Sequence, residues 1–216
     1  MRLFRVLVPF LLLVSSTCAV QALSYRVATL ESDRCAPKGD CPVVFVATGE
    51  IERDELQNFR NFVGGLDQRA AGPRAFVISS EGGNLAGAFA LGHVLRRIDV
   101  PVIVATVEDG VLRPGFCGSA CVFALMGGRS RQVPAGSVVA VHAPRRVPER
   151  GQLGGRELSA ATARGRRQIT RILSDYARAM GVDPAVIALM MRVEPDARRV
   201  LTPAEVRRFR LARIAK

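Results

Sequence analysis

Short apolar runs alternate with stretches of helical spacing along most of this chain, and that alternation narrows the possible folds more than any other feature. Cys41-Pro42-Val43-Val44-Phe45-Val46-Ala47-Thr48-Gly49 reads as a buried strand that ends at a glycine. Leu56, Phe59, Phe62 and Val63 follow at helical spacing in the stretch that begins at Glu52, and Gly64-Gly65 stops it. Arg74 to Ser79 is a second strand. Glu81-Gly82-Gly83-Asn84 is a tight turn, and a helix runs from about Leu85 to Arg97. Pro101 to Val107 is a third strand, Phe116 to Met126 a short apolar helix closed by Gly127-Gly128, and Ser137 to His142 a fourth strand. Strands alternating with helices predict an α/β fold, with a parallel sheet joined by helical crossovers.

The chain has 216 residues, of which 49% are hydrophobic and 23% charged. That excludes a disordered or low-complexity polymer and is enough to bury a core. Pro144 to Arg167 differs: it is rich in Arg and Gly and poor in large apolar residues, and reads as a solvated, mobile insertion or the start of a long helix. Helical spacing resumes over Ile169 to Met180 and Pro184 to Met191. The tail holds the turn Glu194-Pro195-Asp196 and a short helix from Pro203 to Phe209. No internal repeat or linker divides the chain.

Arg2 and Arg5, the apolar run Val6 to Val14 and the small residues Val20 and Ala22 make residues 1–22 an export signal, with the cut expected after Ala22. An uncleaved N-terminal anchor is the alternative; the apolar run is short of the roughly 20 residues a spanning helix needs. The domain is then 23–216, periplasmic or secreted, and loss of Arg2 and Arg5 takes the formal charge from +12 to +10. Cys35, Cys41, Cys117 and Cys121 remain, an even count that fits two disulfides in an oxidising compartment. Close spacing favours Cys35–Cys41 and Cys117–Cys121, with cross-pairing open. A zinc site is the rival, but these spacings are not the usual metal-binding pairs, so no metal and no cofactor are expected.

Three segments carry candidate chemistry. Ile78-Ser79-Ser80-Glu81-Gly82-Gly83-Asn84 runs from a strand end through two glycines into a helix, where backbone N–H groups are able to hold an oxyanion. The same turn serves if geometry alone requires it. Cys117-Gly118-Ser119-Ala120-Cys121 places a serine among small neighbours at a helix start, as nucleophile or as cap. Val138-Val139-Ala140-Val141-His142-Ala143-Pro144 ends a strand on a histidine, near the mouth of an α/β sheet. The other histidine, His93, sits in an apolar helical stretch and reads as structural.

In order and spacing these segments resemble the ClpP peptidase family, within the larger ClpP/crotonase fold. Gly82-Gly83, Ser119 and His142 match its oxyanion turn, nucleophile and base. Arg131 to His142 is similar to the family's run into its histidine, and Leu201-Thr202-Pro203-Ala204-Glu205-Val206 to a segment near its C-terminus. The resemblance covers roughly residues 43–211. It implies a fold of repeated ββα units with a C-terminal helical region. It also implies serine acyl transfer, with Ser119 attacking a peptide carbonyl, His142 as general base, and the N–H groups of Gly83 and Ala120 as oxyanion hole. The sequence departs from the family at the third triad position. Aligned on Leu201-Thr202, Arg198 stands where the family has its aspartate, and Asp196 is the nearest acid, able to serve through a shifted loop.

The implied protein is an exported serine endopeptidase that acts without ATP, on peptides or unfolded chains. There is no phosphate-binding loop, and no ATPase partner is expected outside the cytoplasm. Self-association is implied by the family's rings. The alternative is a catalytically impaired relative that binds peptides or partners, which Arg198 and the positive charge favour. A crotonase-like acyl-transfer enzyme is a third possibility, weakened because coenzyme A is not expected outside the cytoplasm. A Ser–Lys dyad is excluded: of the only lysines, Lys38 precedes the first core strand and Lys216 is the last residue, so neither is placed to act as that base. A thiol nucleophile yields to Ser119, which already occupies the matching position. The Arg-rich stretch, with Arg145, Arg146, Arg150, Arg156, Arg164, Arg166 and Arg167, lacks the interleaved aromatics of a nucleic-acid binder. It reads as a solvated basic face able to make weak contact with an anionic membrane surface.

Overall fold

A computed structural model describes residues 21–31, 41–66, 72–144, 146–148, 157–159 and 162–215. The chain forms β1 (Ser24–Thr29), β2 (Val43–Thr48), α1 (Glu55–Gly64), β3 (Ala75–Ser79), α2 (Leu85–Arg97), β4 (Val102–Glu108), β5 (Val111–Pro114), β6 (Phe116–Gly118) and α3 (Cys121–Met126). It continues through β7 (Arg131–Pro134), β8 (Val138–Val141), β9 (Arg146–Pro148), β10 (Glu157–Ser159), α4 (Ala163–Ala179), α5 (Ala185–Met190), β11 (Arg199–Val200), α6 (Pro203–Arg208) and β12 (Arg213–Ala215).

The main sheet has the order β1-β2-β3-β4-β7-β12, with β5 paired to β4. From β2 to β12 that path is parallel, joined by helical crossovers; β1 and β5 add antiparallel edges. Both faces of β2, β3 and β4 are buried, which is why these strands read as unbroken apolar runs. One face sends Phe45, Ala47, Phe76, Ile78, Val102 and Val104 into the core shared with the helices. The other sends Val44, Val46, Val77, Ile103 and Ala105 beneath Ala28, Leu30 and Leu112 of the antiparallel additions. A second sheet, β11-β8-β6, abuts the first where Ser80 bridges Cys117.

Several boundaries follow from local chemistry. Asn84 caps α2 by accepting from the N–H groups of Ala86 and Gly87. Thr202 and Glu205 form a capping box, with Pro203 in the first turn, and that explains the Leu201–Val206 pattern. One expectation is corrected: Phe116 to Met126 is not a single helix. Phe116–Gly118 is strand β6, and the helix begins at Cys121 after a turn. Gly118 and the exchange of bonds with Ser80 hold this stretch extended, because Ser80 N–H donates to Phe116 O at 2.7 Å and Gly118 N–H to Ser80 O at 3.0 Å. Of the Pro144–Arg167 stretch, the last residues open α4 under a Thr162 cap, and Arg146–Pro148 pairs with Glu157–Ser159. The rest, together with Cys35, Lys38 and residues 1–20 of the expected signal, lies outside the described residues. Among the described residues no helix is long and apolar enough to cross a membrane.

Buried Glu55 at the start of α1 ties this helix to β1. The Tyr25 hydroxyl donates to its Oε1 at 2.7 Å, and Glu52 N–H donates to its Oε2 at 2.8 Å. Burial holds the Glu55 carboxyl above the usual glutamate range, against the lowering effect of those bonds. The folded state therefore binds this proton more tightly than the unfolded state. The associated stability is full below the ordinary glutamate value and is lost as pH rises through the folded value. Glu55→Gln is expected to flatten the decline of stability over that window, measured by urea unfolding at a series of pH values.

Candidate active site

The end of β3 brings the first segment to the second. Phe116 N–H donates to Ser79 Oγ at 3.1 Å, and the buried Ser80 hydroxyl accepts from Gly82 N–H at 3.1 Å. These bonds fold the chain back immediately after the strand. Gly82 and Gly83 follow with φ of +116° and +123°, in the region that favours glycine. A Cβ on Gly82 would lie 2.7 Å from Ser119 Cβ, 2.8 Å from Gly118 O and 3.0 Å from Ala120 N. The glycine turn is thus in van der Waals contact with the serine turn, across 37 positions of sequence between Gly82 and Ser119. On its far side Gly83 abuts Ile51, and a cleft of about 560 Å³ lined by Glu50, Arg53 and Asn84 opens there.

Ser119 has φ +52°, a left-handed conformation uncommon for a residue with a side chain. Its N–H donates to Ala140 O at 3.0 Å, which ties the turn to β8 two residues before His142. The Cys117–Cys121 disulfide closes the turn, with a Cα–Cα separation of 5.3 Å. An i,i+4 bridge is awkward inside a regular helix, but here Cys117 belongs to β6 and only Cys121 to α3. Cys35 is outside the described residues, and with it the Cys35–Cys41 pairing.

Among the described residues, neither the Gly83 nor the Ala120 N–H donates to a carbonyl or side-chain acceptor. His142 is half-buried, with Nδ1 3.1 Å from Ala143 O. Ala143 is itself held by the bond from its N–H to Val193 O at 3.0 Å. Among the described residues no hydrogen bond joins Ser119 to His142, or Asp196 to His142. Asp196 is exposed in the turn between α5 and β11. His93 is on α2, edge-on to Tyr176, and takes no part in this cluster. No group of three or more His, Cys, Asp and Glu side chains suited to a metal ion occurs among the described residues.

Sequence reasoning missed the neighbours of Arg198. Its guanidinium pairs with Glu81, the residue before the two glycines, and lies 5.7 Å from the centre of the Phe116 ring. An arginine at the position of an expected aspartate was the signal; its partner, 117 residues away, was not visible.

No protein-family model matches the chain, and no curated protein matches it. Solved structures do. A serine-to-alanine variant of the 1510-N membrane-bound stomatin-specific protease aligns over 79% of this chain and 77% of its own, at 14% identity and a TM-score of 0.54. A lysine-to-alanine variant of that protease, in complex with a substrate peptide, aligns over 79% and 73% at 15% identity and a TM-score of 0.54. ClpP1 from Listeria monocytogenes aligns over 77% and 87% at 16% identity, with a TM-score of 0.49. At these identities the likeness is one of fold. The chain has a ClpP-like α/β fold.

Proposed function

We propose that this protein is a serine peptidase in which Ser119 is the nucleophile and His142 the general base. The contact of Gly82 with the Ser119 turn carries the proposal, and the Gly83 and Ala120 N–H groups, which have no protein acceptor among the described residues, support it. Ser119 Oγ attacks a peptide carbonyl, and His142 Nε2 accepts its proton and returns it to the leaving amine. The Gly83 and Ala120 N–H groups hold the developing oxyanion, each worth about 2.7–4 kcal/mol of barrier. Ala143 O takes the orienting role at Nδ1: a proton there, directed at this carbonyl, leaves Nε2 as the basic nitrogen. Asp196 is the acid that the sequence resemblance offers for the same role.

The substrate class is a peptide or unfolded chain, reached without ATP. The amino-terminal pattern supports export to the periplasm or beyond, and the family resemblance supports self-association. One observation favours a second function, a peptide-binding protein without turnover: an arginine, not an acid, occupies the third triad position.

Labelling with a fluorophosphonate probe separates the two. Oxidised wild-type protein is expected to label, Ser119→Ala to give no label, and His142→Ala to label at least a hundredfold more slowly. A folded, oxidised protein that takes no label would overturn the peptidase assignment in favour of the binding protein.

A further inference from the structure

The pleat of the small sheet decides which residues share a face with His142. Phe116 pairs with Val138 and Gly118 with Ala140 on parallel strands, while Val200 pairs with Ala140 on an antiparallel one. Directly paired residues share a face, and so do residues two apart. His142 is two residues beyond Ala140, and Arg198 is two residues before Val200. Phe116, His142 and Arg198 therefore project from the same face, with Arg198 level with His142 in the register. Arg199 has the opposite parity and is spent on Glu205 at 2.6 Å.

From this position the Arg198 side chain reaches back over β8 and β6 to Glu81. Its guanidinium lies over the Phe116 ring, 5.7 Å from the ring centre. The aromatic face fixes the plane of the fork. Among the described residues only Nη1 is engaged by an acceptor, the Glu81 carboxylate, so most of the five donors are open to a second anion. Both side chains are more than half exposed, at 54% and 60%, so exchanging this partner for another carboxylate costs little.

We infer that Arg198 is a specificity-determining residue of the cleft and selects peptides that present a carboxylate beside the bond offered to Ser119. This rests on the assignment of the Ser119–His142 cleft as a peptide site. A guanidinium cannot accept a hydrogen bond from Nδ1–H as the family's aspartate does, but it binds carboxylates through two parallel bonds. The replacement exchanges an orienting group for a substrate-binding one. Glu81 is the resting partner that the substrate displaces.

Two sources of the carboxylate are distinguishable: an internal Asp or Glu side chain, and the C-terminus of a chain. The test uses synthetic heptapeptides: one with a single central Glu and an amidated end, one with Gln and a free carboxylate end, one with Gln and an amidated end, and one with Lys and an amidated end. Binding is measured by calorimetry on the Ser119→Ala protein, which removes chemistry, and kcat/KM is measured on the active protein. Ser119→Ala is expected to bind one of the two carboxylate peptides about fivefold more tightly than the uncharged peptide, the upper end for an exposed ion pair. The peptide that gains names the source. Adding Arg198→Gln removes this preference, Arg198→Glu transfers it to the Lys peptide, and Glu81→Gln strengthens it. Equal binding of all four peptides, or a preference that survives in Arg198→Gln, would overturn the inference. Carboxylate-selective binding without turnover in the active protein would leave it standing and count against the peptidase assignment alone.

Discussion

Gly82→Ala is expected to slow fluorophosphonate labelling of Ser119 by a hundredfold or more while the domain stays folded. The added methyl meets Ser119 Cβ at 2.7 Å, Gly118 O at 2.8 Å and Ala120 N at 3.0 Å. Two of those three atoms are backbone and have no rotamer through which to retreat. The native φ of +116° is also one that alanine rarely adopts. The two turns must move apart, and the donors at Gly83 and Ala120 then no longer share one oxyanion. Losing one such donor alone costs about 2.7–4 kcal/mol of barrier, a factor of roughly 10² to 10³. Overpacking is expected to cost about 1–3 kcal/mol of stability, which thermal unfolding would register as a modest fall in Tm. Gly64→Ala is the control, since its Cβ meets nothing within 4 Å. Wild-type labelling of a folded Gly82→Ala protein would remove the glycine turn from the site.

The Cys117–Cys121 bridge is expected to have the second largest effect. It closes a short ring around Ser119, whose left-handed backbone costs about 1–3 kcal/mol to maintain. Released from the ring, the turn relaxes towards ordinary φ values and the hydroxyl leaves its place beside Gly82. Cys117→Ala with Cys121→Ala is expected to slow labelling about tenfold or more. A ring this small contributes roughly 2 kcal/mol by loop closure, so Tm is expected to drop by about 4–8 °C. Both cysteines are fully buried, so small cavities add to this loss. The double variant tests the bridge itself, whereas a reductant also acts on other cysteines. Unchanged labelling alongside a lowered Tm would give the disulfide a purely stabilising role.

Arg198 shows how far the sequence reached into the site. Its identity, and its place where an aspartate was expected, were plain from the order of residues around Leu201-Thr202. Its pairing with Glu81 was not, because that depends on β11 lying against β8 and β8 against β6, contacts between segments more than 20 residues apart. The same limit explains β6, which joined the α3 helix in the sequence reading. Three residues of strand carry too little alternation to register beside a stronger apolar helical run. The edge strands β1, β5 and β12 also went unseen: each is held by its neighbour in the sheet, with little signal in its own sequence.

By itself, the sequence determined the parts whose causes are local. The buried strands β2, β3, β4 and β8 show as apolar runs, α2 as a helical stretch after a tight turn, and Gly82-Gly83 as the turn itself. It also placed Ser119 and His142 at the ends of elements, where side chains become accessible. Tertiary structure alone decided which ends meet. It set Gly82 against Ser119, drew Cys117 onto a strand so that its bridge encloses the serine turn, tied Ser119 N–H to Ala140 O, and paired Arg198 with Glu81. Periodicity records which face of an element is buried; it does not record which distant element buries it, and the site is made of those distant contacts.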